Sequence, residues 1–263
     1  MNVEKSIERS RQEPGTAVEQ QIVSAVERAE LRHEPFDHIT MEHVLDPASY
    51  SALLAAMPDR QHYHELAHKD AMRADGSSTR LRMYLYPELL WRLPAEQRRV
   101  WMPVARALCS RDLQNAFKRK FRTVLEERFQ KPVERIGLYP VPILLRDQPG
   151  YRIGIHADAP TKAITVQFYL PSDESQRHLG TIFHAGESGE AAERTVQMQF
   201  LPASGYAFPV ARTKSWHSAA NASGADGERV SMMVTYYLDQ SFGDRFTRRL
   251  RRAGLLFGIH PRL

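Results

Sequence analysis

Tyr151-Arg152-Ile153-Gly154-Ile155-His156-Ala157-Asp158, followed by Lys162-Ala163-Ile164-Thr165-Val166-Gln167-Phe168-Tyr169-Leu170, is the stretch on which the fold turns. Both runs read as strands joined by a short turn, because successive side chains of an extended chain point to opposite faces. In the second run Ile164, Val166 and Phe168 fall on one face, and Thr165, Gln167 and Tyr169 on the other. A buried strand with a row of hydrogen-bonding groups on one face borders a polar cavity rather than a plain core. His156 and Asp158 are two apart, so both can point the same way, with Asp158 on the turn after the strand.

Working outward, Ser215-Trp216-His217 supplies a second imidazole, and Arg229-Val230-Ser231 opens a long last strand. Two imidazoles and one carboxylate are the ligand set of the facial triad that holds non-haem Fe(II), with positions left open for O2 and a substrate. Neutral imidazole suits a borderline divalent metal, and the carboxylate offsets one of its charges. A lone His-x-Asp is weak; the surrounding strands, the distal histidine and the following arginine give it weight. On the last strand Arg229, Ser231, Met233, Thr235 and Tyr237 share a face. A guanidinium is a planar fork that matches a carboxylate bidentately, which makes Arg229 a candidate carboxylate ligand. The alternatives are a pair of hydrogen-bonded structural histidines and an edge-strand arginine snorkelling to solvent.

The second half of the chain is dense in strand signals. Ile136 to Arg146, Tyr151 to His156, Lys162 to Leu170, Gly180 to Phe183, Thr195 to Phe200, Gly205 to Pro209, Ser215 to His217 and Arg229 to Leu238 make about eight short strands separated by turns. Eight antiparallel strands in two sheets form a jelly roll. The first half is mostly helical. Val18, Ile22, Val23 and Val26 make a modest stripe, Asp46-Pro47 caps a helix running through Ala56, and Pro87 to Phe129 reads as two or three helices. Phe36 to Val44 and Leu81 to Tyr86 are strand candidates. Asp59 to Thr79 has no periodicity and reads as a mobile surface loop or lid, with a second metal site at His62, His64 and His68 as the alternative. The expected fold class is therefore mainly β with helical additions (α+β), a cupin-like double-stranded β-helix under an N-terminal helical layer. Residues 1–134 form the helical extension with one or two leading strands, 135–240 the jelly-roll core, and 241–263 a basic C-terminal helix, all in one structural domain.

The chain has 263 residues, 42% hydrophobic and 25% charged, which describes a soluble globular protein. No apolar run reaches membrane-spanning length, and Met1 to Gln12 lacks the apolar core of a secretory signal. Cys109 is the only cysteine, which excludes an intrachain disulfide and leads us to expect a cytoplasmic protein. The net charge of +5 is concentrated in Arg98 to Arg135 and Arg245 to Arg252. Both stretches have amphipathic helical spacing, as in Lys118, Arg119, Lys120 and Arg122 beside Phe117 and Phe121. They read as solvated basic faces, with an acidic partner, a membrane surface or nucleic acid as alternatives.

Across residues 134–240 the chain resembles the 2-oxoglutarate/Fe(II)-dependent dioxygenases, in the branch that includes prolyl hydroxylases and related small-molecule hydroxylases. The matching pieces are Pro149-Gly150-Tyr151 before the His-x-Asp, the strand ending Phe168-Tyr169-Leu170-Pro171, the pair Gly180-Thr181, the His217 segment and Arg229-x-Ser231. The resemblance implies that His156, Asp158 and His217 bind iron. It implies that Arg229 pairs with the distal carboxylate of the cosubstrate 2-oxoglutarate, assisted by Ser231 and Tyr169. Arg146 stands where many members carry Tyr or Asn, and is a further candidate for contact with cosubstrate or substrate. The implied cofactors are Fe(II), 2-oxoglutarate and O2, and the implied reaction is hydroxylation of a small molecule with release of succinate and CO2. The presence of Asp158 favours hydroxylation over the halogenation performed by relatives that lack this carboxylate.

Two other functions remain open at this point. A nucleic-acid or protein demethylase or hydroxylase would use the same chemistry, although the strand after Arg229 lacks the extra Asn and Arg of the nucleic-acid branch. A non-catalytic cupin-like metal-binding protein would have no need for Arg229. The substrate itself, an amino acid, natural-product intermediate, sugar or peptide, and the oligomeric state have no signature in the sequence.

Overall fold

The structure, a computed structural model, describes residues 14–66, 69–186, 194–211 and 213–259. The polar lead Met1 to Gln12 and His68 lie outside these residues. Helix α1 (Pro14–Arg28) buries Ile22 and Val26 of the expected stripe, with Ala25 beside them, and half-buries Val18 and Val23. Strands β1 (Leu31–Arg32) and β2 (His38–Met41) lead to helix α2 (Pro47–Ala55). Helix α2 starts where its residues demand it. The Asp46 carboxylate accepts hydrogen bonds from the Ala48 and Ser49 amides, each at 2.9 Å, and Pro47 has no amide to satisfy. After β3 (His64–Glu65) and β4 (Arg80–Tyr84), helices α3 (Ala95–Leu108), α4 (Arg111–Lys120) and α5 (Arg122–Phe129) complete the helical layer.

The strand-rich half follows as β5 (Leu138–Asp147), β6 (Ile153–His156), β7 (Lys162–Tyr169) and β8 (Thr181–His184). It continues as β9 (Thr195–Gln197), β10 (Gly205–Pro209), β11 (Trp216–Ala219) and β12 (Arg229–Leu238), and ends in helix α6 (Phe242–Leu256). Every pairing between these strands is antiparallel, and they fall into two sheets. The larger has the order β1-β2-β10-β7-β12-β5-β4-β3, and the smaller β6-β11-β8-β9. Strands β5 to β12 are thus divided four and four, while β1 to β4 lengthen the larger sheet at both edges. The sequence suggests only one or two leading strands because β1 and β3, at two residues each, are too short to show alternation.

The alternation of β7 decides which face does what. Ile164, Val166 and Phe168, with Met232, Val234 and Tyr236 of β12, are buried under the helices in one cluster with Trp101, Leu108 and Phe117. The opposite face of the larger sheet meets the smaller sheet through an aromatic cluster in which Phe36, Phe183, Tyr206 and Phe208 pack ring against ring. Gly180 permits the close approach of β8 to the chain beside it. A Cβ there would lie 1.4 Å from the Met198 carbonyl oxygen.

The stretch from Asp59 to Thr79 departs from the loop reading. It contains β3 and two short 3-10 turns, and it buries Tyr63, Leu66, Ala71, Ser78 and Thr79. The Ser78 hydroxyl donates to the Leu66 carbonyl and the Thr79 hydroxyl to that of Ala71, at 2.8 and 2.9 Å. Its anchors stand singly among polar residues, so no periodicity marks them. Among the described residues no helix is long and apolar enough to cross a membrane.

Candidate metal centre and its cavity

The smaller sheet brings the two distant histidines together. His217 on β11 is the register partner of His156 on β6, and their rings lie 4.2 Å apart between centroids. Asp158, on the turn after β6, completes a group whose potential ligand atoms all lie within 4.8 Å of one another. Among the described residues no other group of three such side chains is so placed, and His62 and His64 do not form one. His156 Nδ1 lies 2.9 Å from the Gly154 carbonyl and His217 Nδ1 lies 3.0 Å from that of Ser215. A carbonyl can only accept, so both Nδ1 atoms carry the proton, which leaves Nε2 as the atom of each ring that a metal would take. This is the tautomer a metal needs, held by the second hydrogen bond that usually orients a ligating imidazole. The donor set therefore fits a divalent transition metal with open positions.

Charge is arranged for the same task. Lys162 donates to Asp158 Oδ1 at 2.5 Å and Thr165 to Oδ2 at 2.6 Å. Burial opposes ionisation of Asp158, but Lys162, His217 and these hydrogen bonds outweigh it and hold the carboxyl well below the usual range. Burial also pushes the His217 imidazole down to about 4, against the pull of Asp158. At neutral pH the centre thus offers one carboxylate and a neutral His217.

Arg229 is almost wholly buried and lines the cavity beside the centre, but its guanidinium is already engaged. Its Nη2 donates to Asp147 Oδ2 at 2.8 Å and its Nη1 to the Leu179 carbonyl at 2.6 Å. Arg80 binds the same carboxylate from the other side, Nε to Oδ1 at 2.7 Å. The register creates this row: Asp147 on β5 lies opposite Arg229 on β12 and opposite Arg80 on β4. The Tyr151 ring faces both guanidinium groups, at 4.6 Å from Arg80 and 5.2 Å from Arg229. Two cations share one anion, so the cluster retains one positive charge in a buried setting and can receive a monoanionic group.

The cavity has a volume of about 530 Å³, within the range of small-molecule sites. Its wall includes His156, Asp158, His217 and Arg229 of the sequence-predicted residues. Tyr169 and Ser231 stand behind it: the Thr181 amide donates to the Tyr169 hydroxyl at 3.0 Å, and Gln167 Nε2 donates to Ser231 Oγ at 2.7 Å. Arg146 is on the other face of β5 from Asp147, 3.3 Å from Glu228 and over the Tyr63 ring, and does not line the cavity. The polar wall is instead made by Thr165, Gln167, Thr181 and Tyr206, with the Tyr206 hydroxyl donating to Gln167 Oε1 at 2.7 Å. Thr165 and Gln167 were visible as the polar face of β7. Arg80, Asp147 and Tyr206 were not, because only strand register brings them here.

No protein-family model matches the chain, and no curated protein sequence matches it. Solved structures resemble its fold, among them two prolyl hydroxylases. A prolyl hydroxylase from Trichoplax adhaerens, in complex with a hypoxia inducible factor oxygen degradation domain peptide fragment, is 10% identical with a TM-score of 0.50, over 85% of this chain and 90% of that one. A prolyl-4-hydroxylase from Pseudomonas putida is 13% identical, also at 0.50, over 84% of this chain and 98% of that one. At such identities the likeness is one of architecture, and what the two antiparallel sheets and their helical layer establish is that this chain has the prolyl-hydroxylase fold.

Proposed function

We propose that this chain is an Fe(II)- and 2-oxoglutarate-dependent dioxygenase that hydroxylates a small organic molecule. The observation that carries the reading is the His156–Asp158–His217 group, with both Nδ1 atoms tied to backbone carbonyls, on the wall of a cavity that also holds Arg229. The two sheets are read as the halves of a double-stranded β-helix, with 1–134 and 241–263 as additions to a single structural unit built around 135–240. When bound, iron and 2-oxoglutarate supply oxidation by O2, giving succinate and CO2 beside the oxidised product.

The residues of this chain have separable tasks. His156, Asp158 and His217 hold the metal, and Thr165 orients the Asp158 carboxylate. Arg229 and Arg80, balanced by one carboxylate, keep a single net charge for the distal carboxylate of 2-oxoglutarate. Tyr206, Thr181 and Gln167 offer hydroxyl and amide groups on the same cavity wall, whereas Tyr169 and Ser231 hold those groups in place from behind. The aromatic cluster of Phe183 and Phe208 under His217 keeps water from the back of the centre.

Metal titration and 2-oxoglutarate decarboxylation test this reading together. One Mn(II) or Fe(II) per chain, lost in both His156→Ala and His217→Ala, and succinate formed only with Fe(II) present are the expected results. Unchanged metal stoichiometry in both variants would reject the centre, and absence of succinate across a broad substrate panel would reject the reaction.

A further inference from the structure

Helix α6 gives the cavity an outer wall of a different character from the metal centre. Leu255 anchors it in a cluster with Leu66, Tyr84, Tyr86 and Ile143. Arg92 donates to the carbonyls of Leu255 and Leu256 at 3.1 and 2.7 Å, and Arg252 pairs with Glu88 and lies over the Tyr86 ring. The helix is thereby fixed across the open side of the larger sheet. Its Arg248, Arg251 and Arg252 line the same cavity as the metal centre.

The charges there are unevenly matched. On α4 and α5 the ion pairs lie at the surface, Arg119 with Glu27 and Arg122 with Glu126 and Glu134. Arg252 has Glu88. Arg248 and Arg251 have no ion-pair partner among the described residues. Arg248 spends one nitrogen on the Leu238 carbonyl, at 2.8 Å, and its Nε is buried without a hydrogen bond. Of the six cationic side chains that line the cavity, Lys162 is engaged by Asp158, Arg80 and Arg229 by Asp147 and Arg252 by Glu88, which leaves Arg248 and Arg251.

Arg248 also has a defined relation to the centre. Its guanidinium lies 4.8 Å over the Tyr237 ring, Tyr237 on β12 is the register partner of Lys162 on β7, and Lys162 holds Asp158. The path from metal ligand to outer arginine is therefore three side chains long. Tyr84, Tyr86, Tyr139 and Tyr237 line the cavity between, with Tyr84 and Tyr86 stacked at 6.0 Å. Tyrosine rings suit a flat apolar body, and guanidinium groups suit an oxyanion.

We infer that Arg248 and Arg251 form an anion subsite at the outer end of the cavity, and that the substrate is an organic anion with an aromatic or similarly flat body. The anionic group docks on α6 and the body lies along the tyrosines, which directs the opposite end toward the metal. This rests on reading the cavity as the substrate chamber of the proposed reaction, but it can fail separately.

The test is calorimetric binding of cinnamate and of its neutral isostere cinnamamide to the full chain, which needs neither iron nor turnover. Wild type should prefer cinnamate by about tenfold, the scale of one or two charge-assisted hydrogen bonds. The Arg248→Gln/Arg251→Gln double variant should lose that preference while keeping its affinity for cinnamamide. Arg245→Gln, which removes an exposed α6 arginine paired with Asp239, should leave it unchanged. Equal affinity for the two probes, no binding of either, or a preference that survives the double variant overturns the subsite. In the last case the anion sits at Arg80 and Arg229 instead. A wild-type preference that is lost in the double variant, without any succinate formation, would leave the subsite standing and remove the oxygenase reading.

Discussion

Arg229 and Asp147 face one another across β12 and β5, with Nη2 2.8 Å from Oδ2 and neither side chain more than 2% exposed. Arg80 completes the row from β4. Removing one partner of a buried ion pair leaves the other charge uncompensated, at a cost of about 3–5 kcal/mol. Asp147→Ala, which strands two guanidinium groups, should lose stability on that scale in urea unfolding. A change of less than about 1 kcal/mol would mean that water or another carboxylate compensates the pair, and that the row is not closed.

The same cluster sets the expectation for the cosubstrate. Arg229→Ala should weaken 2-oxoglutarate binding by well over tenfold, as expected when a desolvated charged partner is lost. Because His156, Asp158 and His217 stand on other elements, metal affinity should be retained. Arg80→Ala leaves Arg229 paired with Asp147 and the cluster without net charge, so it should also weaken 2-oxoglutarate, but less, because the Arg229 guanidinium remains as a hydrogen-bond donor. Calorimetry on the Mn(II)-loaded protein separates these cases, and an affinity unchanged in Arg229→Ala would remove Arg229 from the site.

His217 couples stability to pH. Burial lowers its folded-state pKa from 6.5 to about 4. Between these values the unfolded chain binds a proton that the folded chain refuses. The contribution is therefore complete above pH 6.5 and is lost as pH falls toward 4, amounting to roughly 3 kcal/mol at about 1.4 kcal/mol per pKa unit. Burial lowers His38 and His184 too, adding slopes of the same sign. Urea unfolding of metal-free protein at pH 7 and pH 5 should show the loss, and a shallower slope in His217→Gln identifies its share. Parallel slopes would assign the effect to the other histidines.

What the sequence made legible follows from which interactions are local. The alternation of β7 and β12 separates core from cavity because period two is written in adjacent residues. The candidate ligands His156 and Asp158 are readable for the same reason. Arg229 was legible as a candidate carboxylate ligand, but its burial and its pairing with Asp147 were not, since Asp147 and Arg80 meet it only through the register of three strands. Arg146 illustrates the limit. It is adjacent to Asp147, yet the pleat turns it to the opposite face, so a one-residue difference separates a cavity cluster from a pair with Glu228. The charge of α6 was plain, whereas its placement over the cavity depends on Leu255 meeting Leu66, Tyr84 and Ile143 and on Arg252 meeting Glu88, partners far from the helix in sequence.

Asp158 should exclude halide from the metal, and the structure makes the converse testable. Its carboxylate is held by Lys162 and Thr165, an ammonium and a hydroxyl that would both face the vacated space in Asp158→Gly. Loss of a ligand should weaken metal binding by more than about tenfold, the effect that even supporting partners of a ligand can have. Chloride, attracted by Lys162, should then restore part of the lost affinity. Titrations of Mn(II) in sodium chloride and in sodium perchlorate at equal ionic strength should therefore agree for wild type and diverge for Asp158→Gly. Adding Lys162→Met to that variant should abolish the divergence. With the substrate of the proposed reaction, the wild-type protein should give a product without halogen, as mass spectrometry would show. If Asp158→Gly binds metal equally in both salts, Lys162 does not face the vacated position, and its contact with Asp158 serves only to balance a buried charge.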